Sequence, residues 1–297
     1  MTIDICSVCA GFAAEVSGAN LKQPMSKEEV EAIEAGMDQY AVLVFHNQNI
    51  SDDEQIAFTR NFGEIENAQG GNITKEHELR LKQGMIDVSN LDRDGQPLER
   101  NDRRRMFNLG NRLWHSDSSY RAIPAKYSLL SARVVASCGG NTEFADMRAA
   151  YDTLDDQTRN LIAGLICEHS LIYSRGSMGF IELTEKERDM FKPVRQSLVR
   201  THPVTGRKSL FLSSHIGSIV GWPVPEARDL IRDLVEHATQ RDLVYVHSWQ
   251  QYDFVMWDNR QTMHRVRRFD EAQVRDMRRT TVAGDTMTAA QVSSEPS

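Results

Sequence analysis

Tyr127-Ser128-Leu129-Leu130-Ser131-Ala132-Arg133-Val134-Val135-Ala136 opens the stretch that decides the fold. It is the first of eight short runs rich in Val, Leu, Ile, Tyr and Thr; the others lie at 142–146, 165–173, 197–202, 208–214, 243–249, 253–257 and 277–283. β-branched and aromatic residues in short runs bounded by turn residues favour strands. Eight such strands predict a β-barrel or jelly roll. Among them Ala227, Leu230, Ile231, Leu234 and Val235 form one apolar stripe behind Pro225, which predicts a helix laid against the outside of a sheet. Towards the N-terminus, Ser26 with Glu29 and Ser51 with Glu54 are capping boxes. The first opens a helix through Val30, Ile33 and Met37 that leads into the strand-like run 41–45. The second opens a helix through Ile56, Phe58 and Phe62 that stops at Gly63. Early helices followed by many strands predict a mainly β fold with flanking helices, two packed sheets decorated by helices.

The chain has 297 residues, 40% apolar and 26% charged, an ordinary globular balance. Its net charge of -7 gives no footprint for nucleic acid. No apolar run reaches the length of a membrane span, and the N-terminus lacks a basic-then-apolar leader. The expectations are a cytoplasmic protein, a small-molecule partner, no nucleic acid, no membrane and a homo-oligomer. Residues 1–284 are expected to form one domain, with a flexible polar tail over 285–297. Residues 64–112, irregular and glycine-containing at Gly70, Gly71, Gly95 and Gly110, suit a lid over a functional site. Cys6 and Cys9 make a C-x-x-C pair with no second pair or nearby histidine to complete a zinc site, so ordinary thiols in a first strand are the expectation.

The chemistry centres on Leu113-Trp114-His115-Ser116-Asp117-Ser118-Ser119. On an extended strand, residues i and i+2 share a face, so His115 and Asp117 can reach one ion while Ser116 points away. A facial ferrous site needs two imidazoles and one carboxylate, leaving three positions open. His264 is the best candidate for the third ligand, because it follows the dense pattern Val255-Met256-Trp257-Asp258-Asn259-Arg260. Arg275, Arg278 and Arg279 come after it, and guanidinium groups suit clamping of a dicarboxylate. Arg278 and Arg279 alternate along a strand, so one faces inward; Arg279 is the expected one. Arg103-Arg104-Arg105 could attract an anion at a pocket mouth, but a basic run in a loop is ordinarily just solvated.

His115-Ser116-Asp117, Gly139-Gly140-Asn141-Thr142-Glu143-Phe144, Trp257-Asp258-Asn259-Arg260 with His264-Arg265, and Arg275 with Arg279 resemble the taurine dioxygenase and 2,4-dichlorophenoxyacetate dioxygenase family. The resemblance runs from the Val42-Leu43-Val44-Phe45 strand and Asn61-Phe62-Gly63 to Thr281. It is strongest to the 2,4-dichlorophenoxyacetate branch, especially its alpha-type members, through 113–119, 128–132, 142–151 and His237-Ala238-Thr239-Gln240. It implies a cupin-like double-stranded β-helix with the metal between its sheets. It also implies an iron(II)- and 2-oxoglutarate-dependent dioxygenase, with O2 as oxidant and ascorbate helpful.

By the same resemblance His115, Asp117 and His264 are the metal ligands and catalytic centre, and Thr142 and Arg275 hold the distal carboxylate of 2-oxoglutarate. Arg279 then meets the co-substrate's near carboxylate or the substrate's acid group, and Trp257 packs beside the co-substrate. Asn111 lines the substrate side, and His202 and His215 occupy positions near the substrate in herbicide-degrading members. The implied reaction hydroxylates a small carboxylate such as an aryloxyacetate, which falls apart to a phenol and glyoxylate while 2-oxoglutarate becomes succinate and CO2. Two alternatives stay open: a taurine or alkylsulfonate dioxygenase, and a non-catalytic metal-binding barrel. Tyr252-Asp253 departs from the Gly-Asp turn common in the family.

Overall fold

A computed structural model describes residues 3–9, 11–67 and 73–291. Its strands are β1 (Asp4–Cys9), β2 (Ala13–Ser17), β3 (Val42–Phe45), β4 (Ile86–Asp87), β5 (Tyr127–Val134), β6 (Thr142–Asp146), β7 (Ile166–His169), β8 (Val194–Ser197), β9 (Val199–Thr201), β10 (Lys208–Leu210), β11 (Ile216–Ile219), β12 (Val244–His247), β13 (Phe254–Asp258), β14 (Thr262–Val266) and β15 (Asp276–Thr281). Its α-helices are α1 (Lys27–Tyr40), α2 (Asp52–Thr59), α3 (Arg103–Asn108), α4 (Met147–Asp152), α5 (Asp156–Ile162), α6 (Leu171–Ser177), α7 (Glu185–Met190) and α8 (Val224–Ala238).

The large sheet has the order β1-β2-β3-β13-β5-β15-β4, antiparallel except where β2 meets β3. Its central strands are buried on both faces, which is why they read as continuous apolar runs. Leu43, Phe45, Leu129, Phe254 and Met256 face one way, onto Ile33 and Met37 of α1 and Phe58 of α2. Val42, Val44, Leu130, Ala132, Val255, Trp257 and Met277 face the other way, onto Phe144 of β6. β6 is the middle of a second sheet, β12-β6-β14. The outer face of that sheet, through Ala145 and Met263, packs on Ala227 and Leu234 of α8. The layers are therefore helices, large sheet, small sheet and helix, the double-stranded β-helix with flanking helices that the resemblance implies.

Both capping boxes form, and Ala41, in the left-handed conformation at φ 61°, ends α1 and turns the chain into β3. Gly63 has φ 140°, and a Cβ there would lie 2.9 Å from Val282 Cγ1. The run 165–173 is a strand only to His169, because Ser170 accepts from Ile172 N and starts α6 instead. The run 208–214 is a strand only to Leu210. β14 was not expected as a strand, since Arg265 and Thr262 break the apolar pattern, yet it carries His264. Tyr252 takes φ 68°, the left-handed conformation that glycine would accept without cost. Of residues 285–297, expected as a flexible tail, those up to Gln291 are described. Thr288 and Gln291 hydrogen-bond Ser197 and Arg195 of β8. Cys6 and Cys9 are free thiols in β1. Among the described residues, no helix is long and apolar enough to cross a membrane.

Gln55 of α2 is fully buried and staples the large sheet, donating to Leu129 O (3.2 Å) and Arg278 O (3.0 Å) and accepting from Ser131 Oγ (2.7 Å). Gln55→Leu leaves the Ser131 hydroxyl without this acceptor inside the protein, so a loss of roughly 1–3 kcal/mol is expected in urea unfolding. An unchanged unfolding midpoint would show that the staple contributes nothing net.

Candidate active site

His115 and His264 meet as a single bridge between two chain segments: His115 N donates to His264 O (3.0 Å) and His264 N donates to His115 O (2.8 Å). The expected strand through His115 and Asp117 is therefore one bridged residue followed by a turn, with Ser118 at φ 55°. The alternation of sides survives the change. Ser116 turns inward to donate to Thr262 O (2.8 Å), away from the carboxylate of Asp117.

The tautomer of His115 is set by its backbone. Nδ1 lies 2.8 Å from Leu113 O, which can only accept, so Nδ1 carries the proton and Nε2 presents a lone pair. That Nε2 is 3.8 Å from Asp117 Oδ1, and His264 Nε2 is 3.7 Å from Asp117 Oδ2. One ligand atom from each of the three residues lies within 4.8 Å of the others, and all three residues are buried. Burial holds both imidazoles below their usual pKa, so they are neutral at pH 7. Burial pushes the Asp117 carboxyl the other way, but Arg279, then the two histidines and the Ser128 hydroxyl, hold it well below the usual carboxylate range. Two neutral nitrogens and one ionised carboxylate converging in a buried site form the donor set of a divalent metal.

A buried chain of hydrogen bonds holds Asp117. Ser128 Oγ donates to Asp117 Oδ2 (2.7 Å) and accepts from Asn259 Nδ2 (2.9 Å); Asn259 Oδ1 accepts from Asp117 N (3.2 Å) and from Trp257 Nε1 (3.1 Å). The Trp257 ring, 4.7 Å from the His264 ring, thus lies beneath the ligands in the core between the sheets. It lines neither hollow of the cleft described below. Sequence reasoning did not find Ser128, and quoted Asn259 only inside a motif; a buried Ser on an apolar strand was the available signal. Ser128→Ala is expected to weaken metal affinity roughly 10–100-fold, measured by competition with a chromophoric chelator. A change under about twofold would remove Ser128 from the site.

Arg279 Nη1 donates to Asp117 Oδ1 (2.5 Å), whereas Arg278 turns to the opposite face and pairs with Asp52 and Asp276. Two adjoining hollows that share Val88, Asn108 and Asn111 form a cleft along this centre. Arg275 lines one end, buried against the Phe269 ring (5.1 Å). Its only side-chain hydrogen bonds among the described residues are 3.5 Å contacts to Val88 O and Gly140 O, and burial pulls its pKa down to about 10. Gly140, at φ 73°, presents that carbonyl; a Cβ on it would stand 3.4 Å from Arg275 Nε. Thr142 pairs in register with Val266, which lines the same end, and its Oγ1 accepts from Trp249 Nε1 (2.9 Å).

Asn111 lines both ends of the cleft, and His215 lines the end that holds His115 and Asp117, its ring 5.9 Å from that of His115. His202 does not line the cleft. Its Nε2 is 3.3 Å from Asp258 Oδ2, in the buried network that Asp258 makes with Arg260 and Gln261. The basic run is not simply solvated either: Arg103 pairs with Glu187, Arg104 with Asp102 and Arg105 with Glu271. Residues missed in the sequence and present in the cleft wall are Glu66, Tyr120 and Arg175. Nothing in their spacing marks them, since they come from three separate loops and helices.

A facial triad between the two sheets of a double-stranded β-helix, with a buried cation in the adjoining cleft, defines a class of non-haem metal enzyme. The chain belongs to the Taurine catabolism dioxygenase TauD, TfdA family, whose model matches residues 6–281. It is 45% identical over 276 residues to an alpha-ketoglutarate-dependent 2,4-dichlorophenoxyacetate dioxygenase of Cupriavidus pinatubonensis, covering 92% of this chain and 95% of that one. It is 35% identical to an (S)-phenoxypropionate/alpha-ketoglutarate-dioxygenase of Delftia acidovorans, covering 95% and 96%. The crystal structure of AAD-2 in complex with Mn(II) and N-oxalylglycine superposes with a TM-score of 0.96 at 62% identity, covering 97% of this chain and all of that one.

Proposed function

We propose that this iron(II)- and 2-oxoglutarate-dependent dioxygenase hydroxylates aryloxyacetates of the 2,4-dichlorophenoxyacetate type at the carbon beside the ether oxygen. The observation that carries the reading is the His115–Asp117–His264 triad, whose His115 and Asp117 line the same cleft as Arg275, a guanidinium with no carboxylate at ion-pair distance among the described residues. The 45% identity over nearly the whole of a 2,4-dichlorophenoxyacetate dioxygenase supports the substrate class.

His115, Asp117 and His264 would hold iron, which with bound 2-oxoglutarate supplies the oxidation: the co-substrate loses CO2 to become succinate, and one oxygen atom of O2 enters a substrate C–H bond. Arg275, with Thr142 nearby, would clamp the distal carboxylate of 2-oxoglutarate, a bidentate match for guanidinium. Arg279 orients the Asp117 carboxylate, and Ser128 and Asn259 lock its other oxygen and its backbone. The hydroxylated product is a hemiacetal; the bond between its ether oxygen and the hydroxylated carbon breaks as the hydroxyl proton moves to the departing phenolate oxygen, giving phenol and glyoxylate without a dedicated acid. The reading also takes residues 1–284 as one catalytic domain of a cytoplasmic homo-oligomer, for which light scattering and fractionation are the checks.

Phenol release from 2,4-dichlorophenoxyacetate, assayed with ferrous iron, ascorbate and oxygen, is expected only when 2-oxoglutarate is present. Sulfite from taurine in its place would move the substrate to the alkylsulfonates. Absence of both products would sink the substrate assignment.

A further inference from the structure

Arg175 of α6 is a second buried cation in the cleft, at the end opposite Arg275. The residue is 5% exposed, and among the described residues no carboxylate lies within ion-pair distance of it. Among the described residues Nε has no hydrogen-bond partner, Nη1 donates to Ser174 Oγ (3.2 Å), and Nη2 reaches Asn111 Oδ1 at 3.5 Å. The other guanidinium groups lining the cleft each have a carboxylate within ion-pair distance: Arg279 has Asp117, Arg121 has Glu66, and Arg105 and Arg112 share Glu271. A buried cation without a counter-ion is costly, and proteins rarely keep one unless something anionic is to meet it.

The surroundings fix this group in place. It lies over the Phe107 ring, 4.5 Å from its centroid, and flat against Gly110, where an added Cβ would stand 2.4 Å from Arg175 Cζ. Ser174, its neighbour, is 2.8 Å from His215 Nδ1, and His215 packs edge-on against Tyr120 (5.2 Å) and His115 (5.9 Å). This wall therefore reaches the triad from the side away from Arg275. Among the described residues, the cleft thus holds two guanidinium groups with no carboxylate at ion-pair distance, one toward each end. The reaction brings two anions to such a cleft, 2-oxoglutarate and the substrate acid.

We infer that Arg175 is the anchor for the anionic group of the substrate, with Asn111 beside it, while Arg279 stays committed to Asp117. This deepens the proposed function and rests on it for the reaction. It also places specificity for a charged acid over a neutral analogue on a residue outside the motif that carries the metal ligands. The aryl group then extends from Arg175 with the ether carbon turned toward the triad.

Equilibrium binding to the iron- and 2-oxoglutarate-loaded protein, measured by calorimetry with oxygen excluded, tests the anchor apart from turnover. The probes are 2,4-dichlorophenoxyacetate, the neutral 2-(2,4-dichlorophenoxy)ethanol, and taurine. Arg175→Met is expected to weaken whichever acid the wild type binds by at least about 30-fold, the scale for removing one partner of a buried charge pair. Binding of the alcohol and of 2-oxoglutarate should move by less than about threefold. Arg175→Lys keeps the charge and loses the fork, so it should recover part of the acid affinity and none of the alcohol's. If the Met variant lacks a cooperative melt, the Lys variant decides, by whether acid binding falls more than alcohol binding. Equal losses for acid and alcohol, a matching loss for 2-oxoglutarate, or no acid binding by the wild type would overturn the inference. Acid held through Arg175 but never cleaved in air would sink the proposed reaction and leave the anchor standing. Phenol released by the Met variant at wild-type KM would do the reverse.

Discussion

Replacing His264 with alanine is expected to leave a folded protein that no longer retains stoichiometric iron and turns over more than about 100-fold more slowly. Loss of a residue that merely orients a metal ligand costs roughly 10–100-fold, and removal of a ligand should exceed that. The geometry gives a further reason. Asp117 already shares Oδ1 with Arg279, so the cation depends on both imidazole nitrogens, 3.8 and 3.7 Å from that carboxylate, to complete its donor set. With one imbalance in that set, the carboxylate is left to its Arg279 pair. His264→Asn, closer in volume, separates loss of metal from the cavity that alanine leaves beside Trp257 and Phe144. Iron content after desalting and succinate formation are the two measurements. A full equivalent of iron retained by both variants would remove His264 from the metal centre.

Arg275→Met should act with opposite signs on stability and on co-substrate binding. Without 2-oxoglutarate, the wild type carries a buried guanidinium whose pKa burial has pulled down to about 10, with no carboxylate in ion-pair distance among the described residues. Replacing it by an apolar side chain of similar length removes that desolvation cost, so the ligand-free Tm should rise by a few degrees. With 2-oxoglutarate, the variant forfeits the clamp on the distal carboxylate, and KM for the co-substrate should rise by at least about 30-fold. The stabilisation that saturating 2-oxoglutarate confers on the wild type should shrink accordingly. Thermal unfolding with and without 2-oxoglutarate, together with the KM, reads both signs. A ligand-free Tm that falls while KM stays put would mean Arg275 supports the fold and not the co-substrate.

The sequence by itself determined the parts whose cause is local. Strands β3 and β13 could be read because burial on both faces writes an apolar residue at nearly every position, and β5 because Tyr127, Leu129, Leu130, Ala132 and Val134 keep it largely apolar around its serines. The two capping boxes and the Gly63 stop follow from hydrogen bonds spanning three residues and from one crowded Cβ. His115 and Asp117 could be paired because two residues apart on extended backbone share a side, and that held even though the segment is a bridge and a turn, not a strand.

Only the tertiary structure decided which side chains support or surround that centre. β14 was hidden by its polar positions until its pairing with β6 and the bridge to His115 placed His264. The Ser128–Asn259 brace joins residues 131 apart in the chain, and no local pattern announces a hydrogen bond of that span. His202 is drawn away from the cleft by the Asp258 carboxylate, and each arginine of 103–105 finds a carboxylate. Arg175 is one arginine among many in the sequence. Its significance comes from a burial and a missing counter-ion that exist only once α6, Gly110 and Phe107 are packed together. Local hydrogen bonds and alternation are written in neighbouring residues, whereas desolvation and charge neutralisation are set by whatever the fold brings alongside.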